Sequence, residues 1–448
     1  MYKLAIIGGG PAGYVAAEKA ARAGLPTILF EAGELGGVCL NEGCIPTKTL
    51  LYSAKILDQS REASKYGVNI TDAAPDFPSI MKRKEKVVKK LVGGVRVRLR
   101  DAGVEVLKVP VTIKGRSGEA FELEAQGESY LAEKLLVCTG STAFIPPIPG
   151  VEGNPAVMTA REALSLEEIP RSVVIVGGGV IGMEFASLFN SLGVEVTVIE
   201  MLPKILGPID QEISSLVQAR YRKKGVNFYL GCKVTGVSGG ADVSFTLPDG
   251  EAMTVSAEKV LVSAGRRPRL AGYGLENIGV KTGRGIEVDS HMQTSVPGVY
   301  AAGDVTALSM LAHTASRQGE VAVNHILGIE DSINYRAIPS VVYTNPEVAC
   351  VGASAEEGSR VLSLPMAYSG RFVAENERGE GLCKVVLDQE DRIIGVHVVG
   401  NPASEIIGTA SLAVSQGLKA DEFLRSILPH PTVSEILRET LSCKPTAN

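Results

Sequence analysis

One pattern occurs twice in this chain and restricts its fold more than any other feature: a short apolar strand, a Gly-x-Gly-x-x-Gly turn, a helix, and a second strand ending on an acid. In the first copy Leu4–Ile7 leads into Gly8, Gly10 and Gly13, and Ile28-Leu29-Phe30 ends on Glu31. In the second, Val173–Val176 leads into Gly177, Gly179 and Gly182, and Thr197-Val198-Ile199 ends on Glu200. From first glycine to acid the offset is 23 in both, from 8 to 31 and from 177 to 200. The glycines allow a tight turn and close backbone approach, the helix N-terminus meets a pyrophosphate, and the carboxylate takes ribose hydroxyls. Each copy closes on a buried strand and a glycine, Leu135–Gly140 and Val260–Gly265. Between acid and closing strand runs a polar, turn-rich stretch. In the second copy Pro248-Asp249-Gly250 predicts a hairpin between Val243–Leu247 and Glu251–Val255. The expected fold is therefore α/β with two Rossmann-like dinucleotide-binding units. A carboxylate at Glu200 repels a 2′-phosphate, and no arginine cluster follows it, which favours NAD over NADP.

The two copies differ in length between acid and closing glycine, and the longer first copy holds a cysteine pair and a basic segment. Cys39 and Cys44 are spaced C-x₄-C, which permits a bridge if the backbone bends to bring the β-carbons together. The same spacing also suits two structural cysteines or half of a metal site. A metal site needs further ligands, and no second Cys/His pair has suitable spacing, so no metal is expected. The other five of the seven cysteines are scattered, which is not a secreted disulfide framework and fits a reducing compartment. The basic run from Lys82 through Arg100 has the apolar spacing of an amphipathic helix whose charges form a solvated face.

The 448 residues allow about three domains. With 45 basic and 50 acidic residues, the net charge of −5 argues against a nucleic-acid partner. The apolar start reads as a first strand rather than a signal peptide, and no apolar run reaches the roughly 18 residues of a membrane helix. A cytoplasmic location is expected.

These motifs, with five further segments, resemble the pyridine nucleotide-disulfide oxidoreductases over the whole chain. The segments are Gly298–Asp304, Met310–His313, Pro339–Ala349, Gly395–Gly400 with Ala403-Ser404-Glu405, and His430-Pro431-Thr432-Val433-Ser434-Glu435. Cys39-Leu40-Asn41 and Ile45-Pro46-Thr47-Lys48 look like the lipoamide branch. The resemblance implies FAD held by Gly8, Gly10, Gly13, Glu31, Gly37, Lys48, Val111, Gly140, Gly303, Asp304 and Ala312, with Asp304 on the ribityl chain. It implies NAD held by Gly177, Gly179, Gly182, Glu200, Val234 and Gly265. It makes Cys39 the interchange thiol and Cys44 the flavin-side thiol. Lys48 becomes the lysine beside the flavin, with Glu184 as its acid. His430 becomes a general base, oriented by Glu435, that serves the disulfide of the other subunit.

The resemblance further implies an FAD-binding domain at 1–144 and 266–333, an NAD-binding domain at 145–265, and an α+β dimerisation domain at 334–448. The implied activity is oxidation of protein-bound dihydrolipoyl groups to the lipoyl disulfide with reduction of NAD⁺, through a Cys39–Cys44 redox disulfide and FAD. The implied partners are a second copy of the chain and a lipoyl-carrying protein of a 2-oxoacid dehydrogenase complex or the glycine cleavage system. The alternative is an NAD(P)H-dependent reductase of another disulfide or a metal ion on the same scaffold.

Overall fold

The computed structural model describes residues 1–358, 360–376 and 379–443. The chain packs into two compact units. The first holds residues 1–49, 78–144 and 265–333, and the second holds 50–77, 145–264 and those from 334 onward.

The first unit is built on a mixed seven-stranded sheet. Its parallel part runs in the order Glu105–Leu107, Thr27–Phe30, Tyr2–Ile7, Glu128–Val137, and Val299–Ala301 adds in parallel beside Leu135–Val137. The strand Tyr2–Ile7 reads as an apolar run rather than an alternation because both of its faces are covered. Leu4 and Ile6 enter one core with the helix residues Ala16, Ala20 and Val95. Ala5 and Ile7 enter the other with Phe121, Leu123 and Val305. The ten-residue strand Glu128–Val137 serves two partners. Its first half closes the antiparallel meander Thr112–Ser117, Ala120–Ala125, and its second half joins the parallel sheet. Helix Pro11–Arg22 begins with proline in its first turn, where no N–H is needed, and ends with Lys19 and Arg22 near its negative pole. Small residues let helix Ala312–Ile326 lie close against it: a Cβ on Gly319 would stand 2.5 Å from the Ala12 carbonyl oxygen.

The second unit repeats this plan. A parallel sheet runs Asn227–Leu230, Glu195–Glu200, Ser172–Val176, Lys259–Val262, Val157–Met158. A three-stranded meander, Lys233–Ser238, Asp242–Thr246 and Ala252–Ser256, accompanies it. The Pro248-Asp249-Gly250 hairpin forms, closed by Leu247 N–H to Glu251 O at 2.8 Å. The strand next to the closing strand is Val157–Met158 here and Val299–Ala301 in the first unit. The same unit carries a five-stranded antiparallel sheet in the order Ser340–Val342, Val348–Gly352, Ile393–Val399, Leu382–Leu387, Arg360–Pro365. Helices Ala403–Gln416 and Ile436–Ser442 cover one of its faces through Ile406, Ala410, Ile436 and Leu437.

One local expectation changes. The basic run lies in the helix Phe77–Asp101, but its charges are not all on a solvated face. Lys84 is buried, and burial lowers its pKa; Arg83 reaches back to the Thr49 carbonyl oxygen at 2.9 Å. The apolar side of a 25-residue helix packed along most of its length is wide enough to draw a lysine stem in with it. Glu435 ends a one-turn 3₁₀ helix, Val433–Glu435, and the α-helix starts only at Ile436. The turn is set by a reciprocal cap in which the Glu435 carboxylate accepts the Thr432 N–H at 2.8 Å. Among the described residues no helix is long and apolar enough to cross a membrane.

Candidate active site

The two acids of the repeat are held alike. Glu31 accepts the backbone N–H groups of Gly9 and Gly33, each at 2.6 Å. Glu200 accepts those of Gly178 at 2.6 Å and Leu202 at 2.8 Å. Each carboxylate thus ties its glycine turn to the strand end, and each oxygen retains a second lone pair for a hydroxyl.

The glycines of each turn divide into two kinds. Gly8 and Gly13 are required by the protein itself: a Cβ would fall 2.3 Å from Cys138 O and 1.8 Å from Gly8 O. Gly177 and Gly182 repeat this, at 2.6 Å from Ser263 O and 2.0 Å from Gly177 O. The middle glycines are not required by the protein. Gly10 and Gly179 have φ of −71° and −70°, open to any residue, and a Cβ would meet only Gly37 Cα at 3.9 Å in one case and nothing within 4 Å in the other. What their bare backbone suits is an external group at the helix N-terminus. Gly13→Ala is therefore expected to prevent the first unit from folding stably. Gly10→Ala is expected to leave the melting temperature almost unchanged while weakening dinucleotide binding by about tenfold or more. Thermal melting and nucleotide titration of both variants check this, and a Gly10→Ala protein that binds normally counts against the site.

Gly37 faces Gly10 from the other side, and a Cβ there would stand 2.8 Å from the Gly10 Cα. Gly37 opens the short helix Gly37–Glu42, which carries Cys39; the Asn41 side chain holds its start by donating to the carbonyls of Leu35 at 3.0 Å and Gly37 at 2.9 Å. Gly43 then breaks the helix with φ −148° and ψ −108°, and Cys44 opens the 19-residue helix Cys44–Glu62. That break supplies the bend the C-x₄-C spacing requires. Cys39 and Cys44 meet as hydrogen-bonded side chains. The Cys39 thiol is pushed far above the ordinary thiol range, first by that bond to Cys44, then by burial; Asp304 adds to the effect and Lys48 opposes it. The two thiols therefore hold a proton tightly between them. Cys44 sits at a helix N-terminus, whose positive end favours a thiolate.

Glycine turn, thiol pair, Lys48 and Asp304 are thus gathered in the first unit. Gly303 precedes Asp304 with φ +83° and donates its N–H to Gln318 Oε1 at 2.7 Å. Ala312 is the first residue of helix Ala312–Ile326. Val111 is buried in the sheet core, and Gly140 lies just past the closing strand with φ +70°. In the second copy of the repeat Gly265 follows the closing strand with φ +107°, and Val234 is buried. Glu184 is buried on helix Val180–Ser191 and accepts the Tyr343 N–H at 3.1 Å. His430 is exposed, and its Nδ1 stands 3.1 Å from Glu435 Oε1. The Glu435 carboxyl is held below the usual carboxylate range, first by the Thr432 N–H and then by His430.

Residues 2–319 match the family described as pyridine nucleotide-disulphide oxidoreductase, and residues 338–441 match its dimerisation domain. The chain belongs to the pyridine nucleotide-disulphide oxidoreductases. Dihydrolipoyl dehydrogenase of Thermus scotoductus is 39% identical to this oxidoreductase over 452 residues, covering 98% of this chain and 96% of the relative. That of Bacillus subtilis is 37% identical over 448 residues, covering 98% and 97%. The crystal structure of LpdA from Mycobacterium tuberculosis superposes with a TM-score of 0.90 at 27% identity, covering 98% of this chain and 99% of LpdA.

The oxidoreductase places three residues around these groups that motif reading did not single out. Tyr14, on the first glycine-turn helix, has its hydroxyl pKa raised by burial and next by Cys39. Ser141 and Arg266 stand beside Asp304. Each directly follows the closing glycine of its copy, Gly140 or Gly265, and that shared position was the one signal available in the sequence.

Proposed function

We propose that this oxidoreductase oxidises protein-bound dihydrolipoyl groups to the lipoyl disulfide and delivers the electrons to NAD⁺. The observation that carries the reading is the Cys39–Cys44 pair, sulfur to sulfur beside a glycine turn whose middle position is bare for an outside group. The two relatives named dihydrolipoyl dehydrogenase support the choice of substrate.

In this reading residues 1–144 and 266–333 bind FAD, 145–265 bind NAD, and 334–448 make a homodimer. FAD suits the first unit because Gly10 and Gly37 leave a bare backbone surface at a helix N-terminus, with Glu31 pinned at its edge. NAD suits the second because Glu200 is pinned in the same way beside Gly179. Bound FAD would supply a two-electron relay between thiols and pyridine nucleotide. Gly140, Gly303, Ala312 and Val111 belong to the proposed FAD site, and Val234 and Gly265 to the NAD site. Lys48 and Glu184 are included as the flavin-side lysine and its acid.

The thiol chemistry follows from the chain's own groups. His430 of one subunit, aligned by Glu435, takes a proton from a dihydrolipoyl thiol. The resulting thiolate attacks Cys39 Sγ of the oxidised pair; the Cys39–Cys44 bond breaks and the electron pair leaves on Cys44. The second lipoyl thiol then attacks the lipoyl sulfur of the mixed disulfide, closes the lipoyl ring and expels the Cys39 sulfur, and its proton passes to the reduced cysteine pair. The pair ends reduced with one proton shared between its two sulfurs, and the first proton remains on His430.

The test is NADH formation from dihydrolipoamide by the purified protein, with NAD⁺ and NADP⁺ in parallel. Turnover is expected with NAD⁺ and is expected to be about 100-fold weaker with NADP⁺, because Glu200 repels the 2′-phosphate. A flavin-loaded protein that ignores dihydrolipoamide but consumes NADH or NADPH with another disulfide or a metal ion would overturn the proposal.

A further inference from the structure

Where the chain leaves the first unit after Gly140 and where it returns after Gly265, it forms two short strands, Ser141–Ala143 and Arg266–Pro268. They pair antiparallel, Ser141 opposite Pro268 and Ala143 opposite Arg266. Arg267 stacks on the Phe144 ring at 3.7 Å and steadies the pair. The pairing brings Arg266 under Ser141. The guanidinium holds Ser141 at two points, Nε–H to Oγ at 2.8 Å and Nη2–H to the backbone oxygen at 2.9 Å. With its oxygen accepting from Arg266, the Ser141 hydroxyl donates to Asp304 Oδ2 at 2.5 Å. Arg266 Nε itself lies 3.9 Å from that oxygen, and both side chains are largely buried, 20% and 24% exposed.

We propose that Arg266 and Ser141 are positioning residues for Asp304: a directional relay that orients its carboxylate and offsets its charge, so that the first unit can bind FAD tightly. The inference rests on the FAD reading of this unit. Three observations give it content. The hydroxyl has one proton, and the guanidinium occupies its acceptor side, so the proton can only point at Asp304. Occupation of Oδ2 leaves Oδ1 as the acceptor for an incoming hydroxyl. The guanidinium also offsets a carboxylate that would otherwise repel a pyrophosphate bound at the same unit's helix N-terminus.

The experiment is a flavin titration of the full-length protein stripped of flavin, followed by flavin fluorescence, for wild type, Ser141→Ala, Arg266→Gln, Asp304→Asn and the two doubles with Asp304→Asn. Each single variant is expected to bind FAD about tenfold more weakly. Each double is expected to bind within about twofold of Asp304→Asn alone, because the first two residues act through the third. Arg266→Lys keeps the charge but loses the two-point grip, and should recover about half of the loss on a logarithmic scale. Single variants that bind FAD like wild type, or doubles whose losses multiply to about a hundredfold, would overturn the proposal. A merely structural role predicts the multiplied outcome, with a matching drop in the melting temperature of the stripped protein. Wild-type protein that binds no FAD would sink the FAD reading, and this inference with it.

Discussion

Cys44→Ser is expected to lower dihydrolipoamide-dependent NADH formation by at least about 10⁴-fold, with bound flavin retained. The exchange step needs a sulfur that leaves Cys39 as a thiolate and later re-forms the bridge, and a serine oxygen does neither. The variant should also change Cys39 in a definite direction. Its pKa is raised first by the hydrogen bond to Cys44, then by burial and by the charge of Cys44, while Lys48 pulls the other way. Without Cys44 the raised pKa falls, so the Cys39 thiolate appears at lower pH. Alkylation of Cys39 in the variant, measured against pH by mass spectrometry, should therefore begin below the pH at which Cys39 reacts in reduced wild-type protein. Residual turnover within tenfold of wild type would remove the thiol pair from the reaction. An unchanged alkylation profile would show that Cys44 does not hold the Cys39 proton.

His430→Gln is expected to cost about 10²- to 10⁴-fold in the same reaction, the usual size of a lost general base. The side chain is exposed and its one partner among the described residues is Glu435, so the fold should be little affected. Glu435→Gln should cost less, because it removes orientation and charge while His430 remains. The substitution also disturbs the cap on Thr432, since Glu435 Oε2 accepts that N–H. In the proposed scheme reduction of bound flavin by NADH uses neither residue, so it is expected to proceed at the wild-type rate in both variants. Stopped-flow measurement of that half-reaction beside steady-state turnover separates the cases. Loss of both half-reactions together would point to a damaged nucleotide site instead of a lost base.

Parts of the site were legible because they depend on short stretches of chain. A strand buried on both faces must be apolar at successive positions, and Leu4–Ile7 and Val173–Val176 show this. A turn folded back on its own carbonyl needs glycine, and the clashes expected at Gly13 and Gly182 explain why each copy carries one there. The Glu435 side chain reaches His430 over five residues, near enough for motif reading to pair them. Lys84 illustrates the opposite case. Its charge suggested a solvated position, but burial of the neighbouring helix face governs where its stem goes.

The sequence by itself determined the repeat, the class of fold, the thiol pair and the acids that end each second strand, since each is encoded within about 25 residues of chain. Tertiary structure decided which distant segments complete them. Val299–Ala301 takes the place beside the closing strand that Val157–Met158 takes in the other copy, and no local pattern distinguishes a strand that pairs across some 160 residues from one that pairs nearby. Ser141 and Arg266 reach Asp304 only after two short strands meet. A hydrogen-bond relay depends on side-chain directions, which are fixed when the backbone segments have packed.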